Sequence, residues 1–130
     1  MVGVVIVSHS WKIADGIKDL TDQVAAQVPN IIACGGMEDK EIGTDAIRIE
    51  EAIKAASQGD GVVVLADLGS GVMSAETARD LLEDEHIDIR IADAPLVEGA
   101  IAAAVAAACG LNVDQVQAAA EQARTVNKIN

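Results

Sequence analysis

Val2-Gly3-Val4-Val5-Ile6-Val7 runs without a charged residue into Ser8-His9-Ser10-Trp11. A continuous apolar stretch rich in Val and Ile is the pattern of a strand covered on both faces, as the central strands of parallel sheets are. A helical pattern begins at Trp11, so Ser8-His9-Ser10 marks the carboxyl end of a strand. In open α/β sheets, ligands and reacting groups gather just beyond those ends. Histidine changes charge near neutral pH, and at such a place it serves as a nucleophile or a proton carrier. A capping or core role for His9 is the alternative, and this segment alone leaves both open.

The same strand-then-helix alternation repeats along the chain. Further strands are expected at Ile31–Ala33, Val62–Ala66 and Ile87–Ile91. In the last, Ile87, Ile89 and Ile91 alternate with Asp88, Arg90 and Ala92, which suits an edge strand with one face near solvent. The first helix carries Ile13, Ile17, Leu20, Val24 and Val28 at helical spacing and is expected to stop at Pro29. The second carries Ile49, Ala52, Ile53 and Ala56 and ends near Gly59. The third is expected to start at Ser74 as N-cap and to bury Ala78, Leu81 and Leu82. The fourth spans Gly99–Cys109, with Gly110 as its cap, and a last helix opens at Asn112 with Val113, Val116, Ala120, Ala123 and Val126 on one side. These units predict a single α/β domain over residues 1–130. It is an open, mainly parallel four-stranded sheet of order 2-1-3-4 with helices on both faces. The fourth helix has no polar side and must be covered all round. A second subunit would do this, making a homodimer; cover by the last helix is the alternative.

Of the 130 residues, 51% are hydrophobic, yet there is no Phe or Tyr and one Trp, so Val, Ile, Leu and Ala must fill the core. The net charge of −12 argues against nucleic acid and against an anionic membrane surface, both of which call for Lys and Arg. A basic protein partner is the natural counterpart of this field. Cys34 and Cys109 are far apart in sequence and show no metal or redox spacing, which fits a reducing cytoplasm. No signal peptide is expected, because the first apolar run lacks a basic flank and a cleavage site. Gly99–Leu111 is too short for a bilayer that needs about 20 residues.

Parallel topology collects four loops at one edge: Ser8-His9-Ser10, Cys34-Gly35-Gly36, Asp67-Leu68-Gly69-Ser70-Gly71 and Asp93-Ala94-Pro95-Leu96. Glycines let backbone N–H groups approach an anion, and helix N-termini favour phosphate. Ser10, Gly35, Gly36, Gly69 and Ser70 are therefore the expected phosphoryl-binding residues. Gly69 would provide backbone access or a left-handed conformation, and Ser70 a hydroxyl. Ordinary turns made of Gly and Ser are the alternative for any one loop. Asp67 is expected to accept Nδ1–H of His9 and so leave Nε2 to attack, the orienting logic of a triad. Its alternative role is capping the following turn. His86, within Glu83-Asp84-Glu85-His86, falls before the fourth strand, on the opposite sheet edge about 15–20 Å away, as a solvated histidine. There is no phosphate-loop motif, no nucleophile elbow around Gly69-Ser70-Gly71 and no metal-ligand spacing.

With these residues placed, the chain resembles the mannose-type IIA domains of the bacterial phosphotransferase system, in the branch that serves phosphoenolpyruvate-dependent dihydroxyacetone kinases. The resemblance spans essentially the whole chain. It rests on Val5-Ile6-Val7-Ser8-His9-Ser10, Gly35-Gly36, Ile42-Gly43-Thr44-Asp45, Asp67-Leu68-Gly69-Ser70 and Ala94-Pro95-Leu96-Val97-Glu98-Gly99. Sugar-transport members usually show His-Gly and Asp-Leu-Phe-Gly-Gly-Ser-Pro, where this chain has His9-Ser10 and Asp67-Leu68-Gly69-Ser70. The resemblance implies a phosphotransferase subunit in which His9 takes a phosphoryl group from the carrier HPr. It then passes the group to ADP in a partner dihydroxyacetone kinase subunit. The nucleotide and magnesium would belong to that partner, so the chain itself would need no cofactor. Some members carry further carrier domains behind this one; a chain ending at Asn130 would depend on separate donors. The rival readings are a IIA component of a mannose-type sugar transporter and a signalling module phosphorylated on Asp67. The latter would need acidic residues for magnesium where Ser8-His9-Ser10 stands.

Overall fold

A computed structural model describes residues 1–26 and 29–130. Strand β1 (Gly3–Ser8) lies between β2 (Ile31–Gly35) and β3 (Val62–Ala66), and β4 (Ile89–Ile91) pairs on the far side of β3. All pairings are parallel and the order is 2-1-3-4, as the strand pattern predicts. The apolar run of β1 is buried along its whole length. Its side chains alternate between two separate cores, one on each face of the sheet.

Val4 and Ile6 of β1, with Val63 and Leu65 of β3, face helices α1 (Trp11–Val24), α4 (Leu96–Ala108) and α5 (Val113–Gln122). Val5 and Val7, with Val62, Val64 and Ala66, face α2 (Ala46–Ala56) and α3 (Gly69–Leu81). With almost no aromatic side chains, small residues let these layers approach. Ala100, Ala103, Ala104, Ala106 and Ala107 of α4 are buried, and a Cβ on Gly99 would come within 2.9 Å of Leu65. Helix α5 packs along α4, so the last helix supplies much of the cover that α4 needs. Val97 and Val105 of α4 stay 43% and 41% exposed. Asn112 caps α5 in a reciprocal pair with Gln115, and Gly110 (φ +78°) turns the chain out of α4.

Several boundaries differ from the sequence reading. Helix α1 stops at Val24, ahead of Pro29, because Ala26 turns left-handed (φ +53°); Val28 lies outside the described residues. Its buried stripe is Ala14, Ile17 and Thr21, while Ile13, Leu20 and Val24 are about half exposed. The helix is rotated so that Ala14 fits the close approach at Gly35, where a larger side chain would not. Helix α3 starts at Gly69 rather than near Ser74, and Leu81 faces solvent while Leu82 is buried. Gly-Ser-Gly has poor helix propensity, but its first-turn N–H groups need no intrahelical partner, and packing of Ala75 and Ala78 carries the helix. Strands β1 and β2 each run further than expected at the carboxyl end, which places Ser8 inside β1; β4 begins at Ile89 rather than Ile87.

Leu65 is fully buried at the centre of this arrangement. Leu65→Ala should destabilise the protein by about 2–5 kcal/mol, read as a lower urea midpoint with an unchanged slope.

Candidate phosphoryl-transfer site

Strand order 2-1-3-4 reverses direction between β1 and β3, and that crevice is where open α/β sheets place their sites. Val7 pairs with Ala66, so the next residues of both strands, Ser8-His9 and Asp67, meet at one point. The Asp67 carboxylate organises them. Oδ1 accepts from His9 Nδ1 at 2.9 Å and from the Leu68 N–H at 2.8 Å. Oδ2 accepts from the His9 N–H at 3.0 Å and from Ser8 Oγ at 2.9 Å. Burial by itself would raise the Asp67 pKa, but the four bonds from His9, Ser8 and Leu68 together outweigh it and hold the carboxyl below its ordinary value. The side chain is thus an ionised acceptor at neutral pH.

A carboxylate can only accept, so Nδ1 of His9 carries a proton, and in the neutral ring Nε2 presents its lone pair. Ser70 Oγ lies 2.6 Å from Nε2, to which it donates when the ring is neutral. The imidazole is one-fifth exposed, with its reactive edge toward solvent. Gly71 makes room for it: a Cβ there would stand 3.1 Å from Asp67 Oδ1 and 3.6 Å from His9 Cε1. Beside Nε2, α3 opens with the N–H groups of Gly69 and Ser70, which have no carbonyl one turn back within the helix. With the positive end of the helix dipole they form a cradle for an anion.

The remaining expected residues sit close by but do other work. Ser10 caps α1, its Oγ accepting from Ile13 N–H. Gly35 is a close-packing position, since a Cβ would fall 2.5 Å from the Ser10 carbonyl oxygen. Gly36 adopts φ +68° and spends its N–H on the Ser8 carbonyl, leaving none for a bound oxygen. Gly69 has helical backbone, not the left-handed conformation expected of it, and a Cβ there meets nothing within 4 Å. Asp67 reconciles its two readings, since one oxygen serves both the histidine and the turn at Leu68. His86 is exposed ahead of β4, at the other end of the sheet from His9.

Sequence reasoning missed the frame around the site. Gly43 N–H donates to the His9 carbonyl, Arg48 Nη1 holds the carbonyls of Gly35 and Gly36, and Thr44 Oγ1 meets Ser74 Oγ at 2.7 Å. These bonds lock the segment between β2 and α2 against His9. It also missed Ser8, although a serine closing an apolar strand signals a buried hydroxyl needing partners. Burial pushes the Cys34 thiol pKa up, which leaves it a packing residue. Among the described residues no group of three or more His, Cys, Asp or Glu is placed to hold a metal ion.

The family model for the fructose IIA component of the phosphotransferase system, EIIA-man, matches residues 3–117. The chain belongs to the EIIA-man family. It is 42% identical over 127 residues to the phosphoryl donor subunit DhaM of the PEP-dependent dihydroxyacetone kinase of Providencia stuartii, covering 95% of this chain but 27% of that protein. The chain therefore spans about a quarter of the length of that relative. A shorter relative, the DhaM subunit of PEP-dependent dihydroxyacetone kinase 2 of Listeria innocua, is 40% identical over 106 residues, which are 81% of this chain and 85% of that one. A crystal structure of a protein of unknown function superposes with a TM-score of 0.87 at 37% identity over 99% of this chain and 98% of that one. The EIIA component of Streptococcus agalactiae shares the EIIA-man fold, with a TM-score of 0.70 at 16% identity over 98% of this chain and 97% of that one.

The bonds to Asp67 make this EIIA-man domain's stability depend on pH. The native carboxyl is more acidic than the unfolded one, so its contribution is complete above about pH 4 and disappears as pH falls through the native value. Urea unfolding from pH 7 to pH 2 should show the wild-type advantage over Asp67→Asn full at neutral pH and shrinking below about pH 4.

Proposed function

We propose that this chain is a phosphohistidine carrier. His9 takes a phosphoryl group from the phosphocarrier HPr and passes it to ADP bound in a partner kinase subunit, which phosphorylates dihydroxyacetone. The observation that carries the reading is the 2.9 Å bond from Nδ1 to an ionised Asp67, which leaves Nε2 free to attack. The relatives named as phosphoryl donor subunits of dihydroxyacetone kinases supply the substrate class.

In the transfer, the bond from phosphorus to the donor's histidine nitrogen breaks as the bond to Nε2 forms. Nδ1 keeps its proton throughout, so no base is needed. The ring gains positive character, which the Asp67 carboxylate offsets across the Nδ1–H bond. Ser70 turns its hydroxyl from Nε2 to a phosphoryl oxygen, and the N–H groups of Gly69 and Ser70 bind the others. Delivery to ADP is the same displacement in reverse, with a β-phosphate oxygen as nucleophile and magnesium supplied by the partner.

Docking would use the surroundings of His9. Ile42, Leu68 and Met73 are 75%, 62% and 68% exposed on the segments that frame it, an apolar surface suited to a protein partner. The net charge of −12 would draw in basic faces on donor and acceptor. Such partners place the chain in the cytoplasm; none of its described helices is long and apolar enough to cross a membrane. A homodimer is part of the same reading, through Ile13, Leu20 and Val24 of α1 and Val97 and Val105 of the neighbouring α4, all partly exposed.

Incubation with phosphoenolpyruvate and the general phosphotransferase proteins should place one phosphoryl group on Nε2 of His9, seen by phosphorus and nitrogen NMR. His9→Ala should take none while unfolding at nearly the wild-type temperature. Asp67→Asn should slow transfer about 10- to 100-fold, the worth of a hydrogen bond to a charged group. Ser70→Ala should slow it about fivefold, one neutral hydrogen bond. Discharge by an ADP-loaded dihydroxyacetone kinase subunit, with ATP formed, separates this role from sugar transport. Phosphate on Asp67, His86 or Nδ1 overturns it.

A further inference from the structure

Ser8 is the last residue of β1 and is completely buried, one of two polar side chains so enclosed among the described residues. Its hydroxyl has one proton and makes two bonds. Oγ donates to Asp67 Oδ2 at 2.9 Å and accepts from the Ser10 N–H at 3.1 Å. The first bond reaches across to β3, and the second reaches forward to the N-cap of α1. We propose that Ser8 is a positioning residue for His9, holding the Asp67 carboxylate in the plane that keeps the proton on Nδ1 and the lone pair on Nε2. This rests on the carrier reading of His9.

The torsion that sets a carboxylate plane is soft and roughly two-fold, so packing alone defines it poorly. Donors must define it. Oδ1 is shared by the ring and the Leu68 N–H, whereas Oδ2 is anchored by the buried Ser8 hydroxyl and the His9 N–H. Removing the hydroxyl would leave Oδ2 with one donor and free the carboxylate to swing. Oδ1 would then move off the line of Nδ1–H, and the other ring tautomer, with its proton on Nε2 toward Ser70 Oγ, would gain population. The same change leaves the Ser10 N–H without its acceptor, so some loss of stability accompanies it in any case. Stability by itself therefore does not report the positioning role, and the ring does.

The test uses the full chain, with nitrogen NMR of the imidazole ring and single-turnover transfer from phosphorylated HPr. Ser8→Ala should lower the share of neutral His9 protonated on Nδ1 and slow the transfer step about tenfold, with the half-saturating donor concentration unchanged. Ser8→Thr, which keeps the hydroxyl, should restore the ring signature and most of the rate. In an Asp67→Asn background, Ser8→Ala should change the rate less than about twofold, because its effect runs through that carboxylate. Without any substitution, the Ser8 hydroxyl proton of the wild type should exchange slowly enough to be observed. A Ser8→Ala protein with wild-type ring spectra and rate, altered only in melting temperature, would overturn the positioning role. So would a wild-type hydroxyl proton in fast exchange. The ring spectra need no phosphoryl donor, so a wild-type protein that takes no phosphate on His9 overturns the carrier reading instead.

Discussion

Asp67 offers two oxygens with room for about four donors, and Ser8, His9 and Leu68 fill both. That saturation keeps the side chain ionised despite partial burial, and an ionised carboxylate can take only a proton-bearing nitrogen. The tautomer of His9 is thereby settled by the backbone geometry of two adjacent strands. The adjacency itself comes from hydrophobic burial. Strands β1 and β3 pair at the centre because they are apolar on both faces, and their register brings Ser8-His9 level with Asp67. Shifting that register by one residue would turn every core side chain to the wrong face, so the core also protects the site.

The sheet was legible because its strongest signals are long. Val2–Val7 and Val62–Ala66 admit no amphipathic reading, and parallel order followed from the helices between them. Helix phase and helix starts were less legible, since they depend on contacts between elements. Ile13 and Leu20 look like a core stripe in sequence, but the close approach at Gly35 selects Ala14 and Ile17. Likewise, Gly69-Ser70-Gly71 has the composition of a loop, and only the pairing of Asp67 with His9 and the packing behind it make it the first turn of α3. In the site, His9 and Asp67 stood out as chemistry-bearing residues at strand ends. Ser8, Gly43, Arg48 and Thr44 did not, because each acts on backbone or on another side chain, and the spacing of 34 residues between His9 and Gly43 carries no local trace of that.

Small residues serve the core and the site by the same physics. Without Phe or Tyr, layers reach close packing by letting backbones approach, as at Gly99 against Leu65 and along the alanines of α4. At the sheet edge, Gly35 lets the start of α1 lie on the end of β2, and Gly71 lets α3 lie against the Asp67 carboxylate. The ring is therefore held by two short side chains, Asp67 and Ser70, rather than by bulky neighbours. This leaves its outer edge open, which the proposed exchange with two large partners in turn would require.

In the proposed carrier role the chain would release its phosphoryl group as readily as it accepts it, and this would limit how strongly the site holds phosphate. Among the described residues, the cradle it would use is modest: two helix N–H groups without an intrahelical partner, one serine hydroxyl and no cation bonded to His9 or Ser70. An arginine forking onto the phosphoryl oxygens would bind them far more tightly and slow the onward step. The Arg48 guanidinium is instead spent on the carbonyls of Gly35 and Gly36. Charge compensation falls to Asp67, which steadies the cationic ring rather than the phosphate. The positive character that the ring gains on entry is lost again on departure, so the carboxylate steadies the loaded ring without touching the phosphoryl oxygens.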